Sequence, residues 1–297
     1  MAEILDGKWV REQILAEWKP RVEALARAQR PPGLAVVLAG DNPASEIYVR
    51  NKVKACDEMG IYSEKLTPPA SITTDELLAI IRELNEREQI DGILVQMPLP
   101  PQIDSRRILT AIAPEKDVDG FHPMNVGNLV ANLSGPRPCT PLGIIELLKR
   151  YKIPIMGRRA VVLGRSDIVG KPMALMLLHE HATVTVCHSK TRDLAAECRA
   201  ADILVAAIGR PALVRGDFIK PGATVIDVGM NRLTPEEAAA IFGSGPSRSL
   251  IGDVHPVEVQ QAAGAYTPVP GGVGPLTIAM LMVNTIRAAE ARVACCV

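Results

Sequence analysis

A tyrosine and a lysine four residues apart, Tyr48 and Lys52, stand in a stretch that reads as a helix. With Ser45, Val49 and Cys56 they share one face, by spacings of three and four. A lysine on such a face can accept a proton when burial favours its neutral form, and a neutral partner holds the amine without restoring its charge. Gln96 closes the apolar run from Gly92 and can supply that partner. Asp119, within Lys116-Asp-Val-Asp-Gly-Phe-His122, is the third candidate. It is expected to contact a substrate rather than the lysine, because a carboxylate on the amine would keep the proton there. Taken singly, these are a packing tyrosine, a solvated lysine and an Asp-Gly turn.

The second constellation runs from Ala160 to Pro172. Ala160 to Leu163 reads as a buried strand, Gly164 ends it, and Ile168 to Leu178 reads as a helix. A strand turning through glycine into a helix N-terminus aims backbone N–H groups at one place, where a phosphate can bind. The spacing differs from Gly-x-Gly-x-x-Gly, since the glycine after Gly164 is Gly170. Arg165 and Ser166 fill the turn, and the next strand, Thr183 to Cys187, ends in His188-Ser189-Lys190. An NAD site would carry an acid there for the ribose hydroxyl. Arginine, hydroxyl and lysine suit a 2′-phosphate instead, so the cofactor is expected to be NADP.

The elements that must hold these residues follow a parallel α/β pattern. Helices are expected at Lys8 to Ala28, from Asp41-Asn42-Pro43 to Met59, and at Thr73 to Glu86, with strands at Leu34 to Leu38, Ile61 to Leu66 and Gly92 to Gln96. From Pro114 to Pro141 the periodicity is lost, which suggests a long functional loop. A helix at Leu142 to Tyr151 then opens a second domain, with strands at Ala160 to Leu163, Thr183 to Cys187, Ile203 to Ala207 and Thr224 to Val228. Gly243 to Ser249 reads as a surface loop, and Thr267-Pro-Val-Pro-Gly-Gly-Val-Gly-Pro275 as a rigid turn able to approach a ligand closely. Leu276 to Ala291 is apolar nearly all round and reads as a buried helix.

Composition narrows the field. The 297 residues carry 33 basic and 33 acidic side chains, a balance that argues against nucleic acid or an anionic membrane as the main partner. Aromatics make up 3% and hydrophobic residues 47%, so the core must be aliphatic, as in covered parallel sheets. No apolar run suits a membrane span, the first residues lack a signal or transit pattern, and the six cysteines show no Cys-x-x-Cys pair. A cytoplasmic location is expected. His179 and His181 fall at a helix end that favours a cation, so no metal site is expected among them and His188.

Tyr48-x-x-x-Lys52, Gln96-Met-Pro-Leu-Pro100, Lys116-Asp-Val-Asp-Gly-Phe121, Pro138-Cys-Thr-Pro141, Gly164-Arg-Ser, Gly170-Lys-Pro172 and Pro268-Val-Pro-Gly-Gly-Val-Gly-Pro275 together resemble the bifunctional methylenetetrahydrofolate dehydrogenase/cyclohydrolase family. The resemblance runs from Ile4-Leu-Asp-Gly7 to the last helix. It implies two α/β domains with a cleft between them: a folate-binding catalytic domain over 1–141, with the helix at 276–297 packing back on it, and a Rossmann-type NADP domain over 142–275. It implies oxidation of methylenetetrahydrofolate with NADP, then hydrolysis of the methenyl product to 10-formyltetrahydrofolate. Lys52 would carry the hydrolytic step, with Gln96 as its partner and Tyr48 stacking on the folate. Asp119 would anchor the pteridine edge, and Leu99, Pro270, Gly271 and Gly274 would line the folate slot. Gly164, Arg165, Ser166, Ser189 and Met230 would bind NADP, and a homodimer would form through the cofactor domain. A shikimate dehydrogenase-like enzyme would account for the second domain but not for the set at 48, 52, 96 and 119. An intact Lys52 and cofactor turn weigh against a non-catalytic folate-binding protein.

Overall fold

The computed structural model describes residues 2–243 and 249–294. The elements in chain order are β1 (Glu3–Ile4), α1 (Gly7–Ala28), β2 (Gly33–Val37), α2 (Pro43–Met59), β3 (Tyr62–Leu66), α3 (Thr74–Glu86), β4 (Gly92–Val95), α4 (Ser105–Ala111) and α5 (Pro123–Val130). Then follow α6 (Cys139–Arg150), β5 (Arg159–Leu163), α7 (Gly170–His179), β6 (Thr183–Cys187), α8 (Leu194–Arg199), β7 (Ile203–Ala206) and β8 (Thr224–Asp227). The last are β9 (Asn231–Arg232), α9 (Pro235–Phe242), β10 (Leu250–Ile251), α10 (Glu258–Ala262), β11 (Ala265–Tyr266) and α11 (Val273–Ala294). The chain divides into two compact units, one of Glu12–Cys139 with the chain from Ile278 on, the other of the chain up to Arg11 with Thr140–Thr277. The expected surface loop at 243–249 lies mostly outside the described residues.

The first unit is built on a parallel sheet in the order β3-β2-β4. β2 and β4, Gly-Leu-Ala-Val-Val and Gly-Ile-Leu-Val, are buried throughout, as a parallel sheet covered on both faces requires. β3, Tyr-Ser-Glu-Lys-Leu, is the polar edge. α3 starts from a capping box in which Thr73 Oγ1 accepts from Glu76 N and Glu76 reaches back to Thr73 N. Its Leu77, Leu78, Ile81 and Leu84 pack with Ala35, Val37, Ile93 and Val95. The segment expected to be a loop contains α5, which is only eight residues long and carries Asn125, Gly127 and Asn128. Those residues dilute the helical period. Pro123 in the first turn and the His122 ring, whose Nδ1 accepts from Met124 N at 3.1 Å, start it.

The second unit holds a six-stranded sheet ordered β1-β11-β8-β7-β5-β6, parallel in every pairing. The four longer strands were expected from their apolar runs. β1 and β11 have two residues each and were not, because their pairing joins Glu3 to Ala265 across most of the chain. α7 begins at Gly170 rather than Ile168, and Ile168 lies in the preceding turn. His179 is its last residue, and His181 just beyond takes φ 66°, a left-handed position that more often belongs to glycine. Among the described residues no helix is long and apolar enough to cross a membrane, and no cluster of His, Cys, Asp or Glu could hold a metal.

Candidate active site

In the first unit α2 leaves the carboxyl end of β2, and its inward face carries Ser45, Val49, Lys52 and Cys56, all buried. Tyr48, on the rim of that face, is 38% exposed. Lys52 is 9% exposed, and its Nζ donates to Gln96 Oε1 at 3.0 Å. β2 and β4 pair side by side, so α2 rising from β2 and Gln96 just past β4 converge at one edge of the sheet. The Gln96 amide is fixed in turn, since Nε2 donates to Met97 O at 2.7 Å and thereby aims Oε1 at the amine. The next peptide, Met97–Pro98, is cis, and Leu99 beyond it is partly buried against the β-sheet core.

Asp119 arrives on the chain after β4, where Asp117 bridges to Ile93. Asp117 is buried and accepts from His122 N at 2.8 Å and Asn125 Nδ2 at 2.9 Å. Gly120 turns with φ 73°, and a Cβ there would lie 2.6 Å from Arg137 C. Burial pushes the Asp119 carboxyl up to about 6, the charge of Lys52 pulls it down, and Asp117 adds to the rise. Among the described residues no hydrogen bond joins Asp119 to Lys52. The thiol of Cys139, also close enough to feel both charges, is pushed well up by burial and is inert at neutral pH.

Sequence reasoning missed Asn284. It is buried in α11, and its Nδ2 donates to Val118 O at 2.8 Å and Arg137 O at 2.9 Å, pinning both sides of the turn that presents Asp119. The available signal was one amide in the mostly apolar stretch from Leu276 to Ile286, which must find partners once buried.

In the second unit Gly164 follows β5 with φ 112°, and a Cβ there would meet Ala207 O at 2.1 Å. A Cβ on Gly170 would meet Gly164 O at 2.3 Å. The two glycines thus let the turn and α7 close on each other, as in a dinucleotide fold despite the different spacing. Ser166 Oγ accepts from Val169 N at 3.3 Å and Gly170 N at 3.2 Å, so the hydroxyl is turned onto the N–H groups that open α7. Arg165 is exposed in the same turn, and Ser189 is exposed just past β6. Met230 follows β8 and is 43% exposed, and its Cε lies 3.4 Å from where a Cβ on Gly274 would be. Pro270 follows a cis peptide and is exposed, and Gly271 turns with φ 111° while its carbonyl accepts from Gly7 N at 3.0 Å.

Two parallel α/β units, one with a buried lysine–amide pair and one with a glycine turn between strand and helix, define an oxidoreductase-like architecture with chemistry of its own outside the dinucleotide turn. The tetrahydrofolate dehydrogenase/cyclohydrolase catalytic domain matches residues 5–119, and the NAD(P)-binding domain of the same family matches 138–293. The chain is 66% identical over 306 aligned positions to a bifunctional protein FolD of Solibacter usitatus, covering 100% of both. A bifunctional FolD dehydrogenase/cyclohydrolase from Campylobacter jejuni superposes with a TM-score of 0.91 at 48% identity, over 98% of this chain and 100% of that one. A Trypanosoma brucei methylenetetrahydrofolate dehydrogenase-cyclohydrolase, solved with NADP and an inhibitor, gives a TM-score of 0.91 at 42% identity over 98% of both chains. This chain belongs to the tetrahydrofolate dehydrogenase/cyclohydrolase family.

Proposed function

We infer that the protein oxidises 5,10-methylenetetrahydrofolate to the 5,10-methenyl cation with NADP and then hydrolyses that cation to 10-formyltetrahydrofolate. The observation that carries this reading is Lys52, buried and donating to a neutral amide at 3.0 Å. That arrangement suits a base more than an ion-pairing lysine. In the hydrolytic step, Lys52 takes a proton from the water adding at the methenyl carbon and releases it to solvent. It then relays the hydroxyl proton of the adduct to N5 as the C–N5 bond breaks. Gln96 orients the amine through its own tether to Met97 O. Asp119 holds its proton more readily than a solvated carboxyl and so can give or take a hydrogen bond at the pteridine edge. Tyr48 offers its exposed ring for stacking and Leu99 supplies apolar surface in the first unit; in the second unit Pro270, Gly271 and Gly274 are proposed to offer backbone surface to the folate.

The second unit suits NADP, since the space beside Gly164 and Gly170 admits no Cβ, Arg165 and Ser166 follow β5, and His188, Ser189 and Lys190, not an acid, follow β6. Gly164, Arg165, Ser166, Ser189 and Met230 would hold the cofactor, which supplies a hydride acceptor when bound. In this reading residues 1–141 with the last helix form the folate domain and 142–275 the NADP domain, save that the chain up to Arg11 joins the second unit, where β1 pairs with β11. The protein is a cytoplasmic homodimer joined through the NADP domain. The observation favouring that interface is the open edge strand β6, with Val186 40% exposed and apolar Ile168 and Leu178 exposed on the same unit. Light scattering tests the dimer, and a purely monomeric protein would remove it. The activity is tested by supplying methylenetetrahydrofolate with NADP or NAD and following reduced cofactor. Reduction of NADP in preference to NAD is expected, and no reduction of either would overturn the reading.

A further inference from the structure

Asp253 lies in the segment Gly252-Asp-Val-His-Pro256, outside the site residues named above, and is fully buried. Its Oδ2 accepts from Ile208 N at 2.6 Å and Gly209 N at 2.9 Å, and its Oδ1 from Arg210 N and Asn231 Nδ2, both at 2.9 Å. One carboxylate therefore gathers three consecutive backbone donors from the turn after β7 and a side chain from the start of β9, just past β8. The approach leaves no slack, since a Cβ on Gly229 would sit 2.3 Å from Asp253 Oδ1. Asp253 is itself anchored through its backbone N, which donates to Asp227 Oδ1 at 2.8 Å, while Asp227 N donates to Thr267 Oγ1 at 2.8 Å. Met230 is flanked in sequence by Gly229, whose backbone passes close to this carboxylate, and Asn231, whose side chain donates to it.

The place of these turns in the sheet gives them a role. In the order β8-β7-β5-β6, the Gly164 turn follows β5, and the Ser189 turn, read as the 2′-phosphate side, follows β6. The turns after β7 and β8 lie on the other side of β5, where a dinucleotide laid across the carboxyl ends of the strands places its nicotinamide half. We propose that Asp253 is a positioning residue for the nicotinamide half of the cofactor, its carboxylate setting the turns at 208–210 and 229–231 as one rigid surface. This rests on the NADP reading above. A residue this deep touches no ligand, and acts through the backbone it holds.

The test compares whole NADP with 2′,5′-ADP, which carries only the adenosine half, by calorimetric titration of the wild type, Asp253→Asn and Asn231→Ser. In Asp253→Asn one acceptor oxygen becomes an amide NH2 group facing backbone donors, and NADP binding is expected to weaken about tenfold or more while 2′,5′-ADP binding stays within about twofold. Asn231→Ser removes one donor, leaves the buried carboxylate with its backbone partners, and is expected to give a smaller loss of the same pattern. It also keeps the question answerable if Asp253→Asn does not fold. Equal weakening of both ligands, or no weakening of NADP in either variant, would overturn the proposal. Failure of the wild type to bind either ligand would instead overturn the NADP reading itself.

Discussion

Replacing Gln96 with glutamate puts a charge where the structure has a neutral acceptor and changes little else in size. The atom concerned is 3.0 Å from Lys52 Nζ. At an effective dielectric of about 20, a carboxylate there attracts an ammonium by about 5 kcal/mol. Partial solvation of Gln96 reduces this to about 3–4 kcal/mol. The neutral amine becomes rarer by the corresponding factor, so hydrolysis of the methenyl cation should slow by about 10²- to 10³-fold at neutral pH. The glutamate also loses the amide's donation to Met97 O at 2.7 Å. Gln96→Met, which loses that bond and the acceptor but adds no charge, isolates this part, with an expected loss of about tenfold. The assay supplies the methenyl compound directly and follows its disappearance across a pH series. A Gln96→Glu protein hydrolysing at the wild-type rate, or one no slower than Gln96→Met at every pH, would refute the base role of Lys52.

Arg165→Ala should raise KM for NADP about 10- to 100-fold while moving KM for NAD far less, as expected on losing charge-assisted bonds to a 2′-phosphate. Equal changes for both cofactors in steady-state kinetics would remove the phosphate argument. Gly164→Ala forces a Cβ to within 2.1 Å of Ala207 O at φ 112° and should lower stability by roughly 2–4 kcal/mol in urea titration, with NADP binding lost. Wild-type stability in that variant would show the turn to be looser than described. Asp119 keeps its proton in the fold to about pH 6 but loses it near 3.8 when unfolded. Its contribution is therefore complete below about pH 4 and is lost as pH rises toward 6. The shift corresponds to about 3 kcal/mol, discounted to about 2 for the residue's partial exposure. Asp119→Asn should flatten the dependence of stability on pH in that window, and an unchanged slope in urea titrations would contradict the assigned shift.

What could be read in the sequence was local. Thr73 before Glu76 marks a helix start, Gly60 after Met59 marks a stop with φ 76°, and apolar runs such as Ala160 to Leu163 mark buried strands. The meeting of Lys52 with Gln96 was open to inference because both lie at the carboxyl ends of neighbouring parallel strands. What escaped depended on distant partners. β1 and β11 are too short to carry a period, and each exists through strands far away in the chain. Asn284 and Asp253 look like ordinary polar residues until burial is known, and only then must their hydrogen bonds be accounted for. The bonds of Ser166 Oγ to Val169 N and Gly170 N escaped for a similar reason, since they depend on how the turn folds back on α7. Cys295 and Cys296 lie outside the described residues.

The most direct test separates the two steps in one reaction. Wild-type protein and Lys52→Met are each given methylenetetrahydrofolate and NADP, and reduced cofactor, methenyl compound and 10-formyl product are measured together. The account expects the wild type to form reduced cofactor and accumulate 10-formyltetrahydrofolate. It expects Lys52→Met to bind NADP normally and form no enzymatic 10-formyl product. Production of 10-formyltetrahydrofolate by Lys52→Met at the wild-type rate would contradict the assignment of hydrolysis to the buried lysine.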